Sequence, residues 1–135
     1  MQAGVTALRL LSDPAFNSNM LGSGELRDMW CDESVTRLSW HPRVERVVVM
    51  GTVLAVELKV PEGGTVGYGA TLARSVTVEM RTRGAYARPL GNTVYVMCTP
   101  TSSAVTVQSL LAILEAGLNA GHVTGRGAAS IGSIV

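Results

Sequence analysis

The run Arg88-Pro89-Leu90-Gly91-Asn92 places a permanently charged guanidinium beside a rigid turn. Gly84-Ala85-Tyr86-Ala87 precedes it, and the alternating run Thr93 to Met97 follows. Arginine keeps its proton, and its planar fork matches a carboxylate through two parallel hydrogen bonds. An arginine fixed in this way suits a grip on the acid end of a substrate. By residue type alone the commoner use of such an arginine is structural, an ion pair with Glu57 or Glu79. Tyr86, two residues before Arg88, would line the same pocket if both share a strand face, and it serves sheet packing as well. Asn92 reads as a turn residue.

Lys59 is the one lysine, so chemistry that needs an activated amine has a single candidate. It ends a strand ahead of Val60-Pro61 and stands in no recognisable motif. Cys31 and Cys98 are far apart and match no metal spacing, which fits two reduced thiols in an intracellular protein. His41 and His122 likewise lack a partner at metal-ligand spacing, so no metal is expected. Gly64-Thr65-Val66-Gly67-Tyr68-Gly69 has the look of a phosphate loop ahead of a helix. Its spacing is that of neither a Walker loop nor a dinucleotide fingerprint.

These residues need elements to hold them, and 135 residues suffice for one domain with a real core. Apolar residues make up 47% and charged residues 16%, which excludes a disordered chain. A net charge of +1 gives no general pull toward nucleic acid or anionic lipid. Arg81, Arg83 and Arg88 cluster without an aromatic platform, so no nucleic-acid partner is expected. No apolar run approaches membrane-spanning length, so no membrane partner is expected either. The N-terminus shows no targeting segment. Val5, Leu8, Leu10 and Leu11 already read there as a helix face, which points to a piece of a longer protein.

The apolar spacing predicts helices over 2–12, from Glu25 to about Ser39, from Tyr68 to Arg83, and from about Ser103 to Gly121. Asp13-Pro14 stops the first, and His41-Pro42 marks the end of the second. Arg81 and Arg83 in the last turn of the third complement its dipole, with Gly84 as its cap. Thr99, Thr101, Ser102 and Ser103 suit capping of the fourth. Strands are expected at Val44 to Met50 and Val53 to Val60, with Gly51-Thr52 a tight turn or a bulge. A further hairpin is expected to pair Ala85–Arg88 with Thr93–Met97 across Pro89-Leu90-Gly91-Asn92. The sum is an α+β domain, a small and mostly antiparallel sheet covered on one face by helices. Three stretches follow: 1–20 as the end of an inter-domain helix and its connection, 21–120 as the domain, and 121–135 as a flexible tail.

The runs Arg46 to Lys59 and Gly84 to Cys98 resemble the C-terminal small domain of the class III pyridoxal-phosphate-dependent aminotransferases. Within them, Leu90-Gly91-Asn92-Thr93-Val94-Tyr95-Val96-Met97-Cys98 looks most like diaminopelargonic acid aminotransferases of biotin synthesis, in the plant and fungal form fused behind dethiobiotin synthetase. The resemblance covers roughly residues 1 to 120. It implies the small domain of a fold-type I transferase without its large domain, and a homodimer in the complete enzyme. It further implies pyridoxal phosphate in that complete enzyme, with none expected for this chain alone. By motif, Arg88 would hold the carboxylate of the keto acid 7-keto-8-aminopelargonic acid. Bacterial members often carry phenylalanine at the position of Leu90, an apolar exchange. The aldimine lysine, the aspartate on the pyridinium nitrogen, the stacking ring and most of the phosphate cup belong to the absent large domain. Catalytic residues are therefore not expected in this chain, and Lys59 is no substitute. A plant-type full-length protein would be mitochondrial. A second class of function stays open: a free-standing, non-catalytic α+β module that binds a small carboxylate or a protein partner.

Overall fold

The computed structural model describes the backbone of residues 2–129 and the side chains of residues 3–120. In chain order the elements are α1 (Gln2–Leu11), α2 (Asp32–Ser39), β1 (Val44–Met50), β2 (Val53–Leu58), α3 (Tyr68–Thr82), β3 (Arg88–Leu90), β4 (Thr93–Met97) and α4 (Ala104–Ala129). The strands form one antiparallel sheet in the order β1-β2-β4-β3. This is the expected α+β architecture.

Strand side chains alternate between two faces, and here the faces differ completely. Leu54, Val56, Leu58, Val94 and Val96 are fully buried on one face. There they meet Val76 and Met80 of α3 and Leu111, Leu114 and Leu118 of α4. The two helices cross closely at Gly117, where a Cβ would sit 3.0 Å from Cγ of Met80 and 3.2 Å from the carbonyl of Val76. Residues Arg46, Val48, Met50, Ala55, Tyr95 and Met97 alternate with the buried set and so point to the other face, which no helix covers among the described residues.

Several ends follow directly from local chemistry. Helix α3 closes in a Schellman motif: Ala85 N–H reaches the Met80 carbonyl at 3.1 Å and Gly84 N–H the Arg81 carbonyl at 3.0 Å, with Gly84 at φ +90°. Ser103 Oγ accepts from Thr106 N–H at 3.2 Å and caps α4. Met50 pairs with Val53, so Gly51-Thr52 is a two-residue turn and not a bulge, with Gly51 at φ +59°.

Four expectations need correction. The helix expected from Glu25 begins only at Asp32. The preceding backbone is already engaged: Arg27 N–H bonds the Asn19 carbonyl, Met29 N–H bonds the Gly51 carbonyl, and Asp28 Oδ1 accepts from Gly51 N–H. A strap laid across the β1–β2 turn cannot also make helical bonds, and Leu26 stays 66% exposed. Strand β2 ends at Leu58, short of the expected Val60. The second hairpin is shifted: β3 holds Arg88-Pro89-Leu90, and its turn is Gly91-Asn92. Proline is tolerated there because β3 is an edge strand. Finally, α4 continues past Gly121 to Ala129. Extending a formed helix takes one bond per residue, and no proline interrupts this stretch. Residues 130–135 of the expected tail lie outside the described residues.

Candidate functional site

The Schellman turn delivers the chain from α3 straight into β3, the edge strand that carries Arg88. Arg88 pairs with Tyr95, Tyr95 with Ala55, and Ala55 with Val48. Directly paired residues share a face. Arg88 therefore stands on the open face of the sheet, away from the helices, in a row with a phenol and two small apolar side chains.

Its expected structural partners are engaged elsewhere. Glu57 Oε2 pairs with Arg46 at 2.9 Å, and Glu79 Oε1 pairs with Arg83 at 3.0 Å. Among the described residues the Arg88 guanidinium has no hydrogen bond or ion pair. The site is thus an exposed cation with free donors over an apolar surface.

Tyr86 precedes β3, is 77% exposed, and carries the Arg81 guanidinium over its ring, 5.5 Å from the centroid. Tyr95, the cross-strand partner of Arg88, stands beside it on the open face. It also borders a recess of about 220 Å³ between Arg46, Glu57 and Thr93, floored by Val53 and Ala55. The alternation of Thr93 to Met97 carries the signal for Tyr95, but only the true register of the hairpin connects it to Arg88.

The turn after Arg88 is held from two sides. Asn92 Nδ2 donates to the Leu58 carbonyl at 2.9 Å, and Leu58 N–H donates to the Asn92 carbonyl at 2.8 Å. On the other side, a Cβ added to Gly69 would lie 2.7 Å from Cβ of Asn92. The glycine-rich loop thus lets the start of α3 abut this turn. The space at Gly69 is filled by protein. Lys59 is exposed just past β2, its N–H bonded to the Arg43 carbonyl.

Elsewhere, a hollow of about 560 Å³ lies where α2 and α4 begin, bordered by Arg27, Trp30, Cys31 and Ser103. Backbone N–H groups of Ser34 and then Glu33 lower the pKa of the exposed Cys31 thiol, whereas burial raises that of Cys98. No group of three or more metal-ligating side chains occurs among the described residues. No described helix is long and apolar enough to cross a membrane.

Comparison with known proteins agrees with this fold. The chain is 40% identical over 106 residues to the mitochondrial bifunctional dethiobiotin synthetase/7,8-diamino-pelargonic acid aminotransferase of Arabidopsis thaliana, covering 78% of this chain and 13% of the relative. With the same bifunctional enzyme of Oryza sativa subsp. japonica it shares 42% identity over 103 residues, 75% of this chain and 12% of the relative. Among solved structures, the PMP-bound aminotransferase of Vibrio fluvialis superposes with a TM-score of 0.61 at 15% identity, over 68% of this chain and 21% of that one. No protein-family model matches. The chain therefore spans about an eighth of the length of these curated relatives, is related to a segment of the biotin-pathway aminotransferases, and has the fold of part of a fold-type I transaminase.

Proposed function

We propose that this chain is the small-domain segment of a pyridoxal-phosphate-dependent aminotransferase of biotin synthesis, in which Arg88 holds the carboxylate of 7-keto-8-aminopelargonic acid. The observation that carries this reading is the free guanidinium on an uncovered, apolar sheet face, in a chain similar to those enzymes. A bidentate pair with a carboxylate satisfies that guanidinium, and Tyr95, its cross-strand partner, brings a hydroxyl to the same face. The open face offers the surface on which the remaining domain of a complete, homodimeric enzyme packs. That domain supplies the lysine and the phosphate cup, and the plant relatives suggest a mitochondrial location for the whole protein. Pyridoxal phosphate contributes the electron sink for amino transfer, while this segment orients the keto acid by its acid end.

The test is Arg88→Ala in the complete enzyme. Losing one member of a desolvated charge pair costs roughly 2–5 kcal/mol, about one and a half to three and a half orders of magnitude in kcat/KM for the keto acid. Arg88→Lys should recover only part of it, because an ammonium keeps the charge and loses the fork. The half-reaction with the amino donor should suffer less. An unchanged kcat/KM for the keto acid in Arg88→Ala overturns the reading.

A further inference from the structure

On the open face a polar chain runs beside the row of Arg88. Arg46 Nη2 lies 2.9 Å from Glu57 Oε2, and Asn92 Nδ2 lies 3.5 Å from Glu57 Oε1. Both oxygens of Glu57 thus face a donor. Glu57 pairs with Thr93, and Thr93 with Leu90, so Glu57 sits two strands and two residues from Arg88 on the same face. Strand spacing and rise put their Cα atoms about 12 Å apart. Two long side chains bridge that distance, and a bare carboxylate acts across it even without contact.

Without Arg46, Glu57 would draw the Arg88 guanidinium toward itself and repel an incoming carboxylate. The Arg46 side chain is mostly exposed and that of Glu57 partly so. A pair of that kind contributes little to stability, which leaves its effect on the local field as its main consequence. We infer that Arg46 is a positioning residue for the carboxylate site, neutralising Glu57 so that Arg88 stays free and the field around it stays positive. The inference rests on the reading of Arg88 given above.

In the complete aminotransferase, Arg46→Met should raise KM for the keto acid about twofold, the effect of one largely screened charge at this range. Turnover at saturation and the amino-donor half-reaction should stay near the parent values. Adding Glu57→Gln to Arg46→Met should restore the parent KM, because it removes the charge that Arg46 neutralises. A parent-like KM in Arg46→Met overturns the inference, as does a raised KM that Glu57→Gln fails to restore. Arg88→Ala, measured alongside, separates the two readings: if it alone impairs keto-acid use, only the inference falls. If Arg88→Ala is silent, the carboxylate reading falls first. Arg46→Gln serves the same comparison should Arg46→Met prove insoluble.

Discussion

The two faces of the sheet are built from the same strands and solve opposite problems. The helix-covered face is a finished core, with Leu54, Val56, Leu58, Val94 and Val96 fully buried. On the other face Met50 is 73% exposed and Leu90 69% exposed, around a cation that has no partner among the described residues. Contiguous exposed apolar surface rimmed by charge marks an interaction surface. The covered face holds the fold together, and the open face carries the proposed carboxylate site.

The largest expected contrast is between a core residue and Arg88. Leu111→Ala should cost about 2–5 kcal/mol of stability through lost burial and a residual cavity. Arg88→Ala should stay within about 0.5 kcal/mol in the same chain, because an exposed side chain without partners leaves nothing unsatisfied. Chemical denaturation of both variants measures this. Equal losses would make Arg88 a structural residue and erase the division between the faces.

A smaller effect concerns assembly. The uncovered face should make the isolated chain self-associate, and Met50→Lys with Met97→Lys should disperse it without changing its melt. Light scattering reads the outcome. A monodisperse monomer before substitution favours a free-standing module over a segment of a larger enzyme.

The smallest effect separates the two thiols. Cys31 is exposed, and the N–H groups of Ser34 and Glu33 stabilise its thiolate. Cys98 is partly buried, which disfavours the ionised form. A group with a lowered pKa ionises earlier as pH rises. Cys31 should therefore alkylate first, with a midpoint below that of free cysteine, and Cys98 later, with a midpoint above it. Mass mapping of iodoacetamide labelling against pH checks the order, and faster labelling of Cys98 would refute it.

Much of this protein is written locally. Val44 to Met50 could be placed because alternation and β-branching act residue by residue, and α3 because its apolar spacing ends at Gly84. Leu111, Leu114 and Leu118 follow from the same periodicity. Arg88 stood out by residue type and motif. The segment before α2 did not follow, because its helix-like spacing lost to hydrogen bonds with the distant Gly51. The partner of Arg88 did not follow either. Placing the hairpin turn at Pro89 to Asn92 sets Arg88 opposite Thr93, while the turn at Gly91-Asn92 sets it opposite Tyr95. Sequence fixes which residues can carry charge and which must be buried, because these are properties of single side chains. Register, the engagement of Glu57 by Arg46, and the choice of face left open depend on contacts between strands far apart in the chain, so only the tertiary structure decides them.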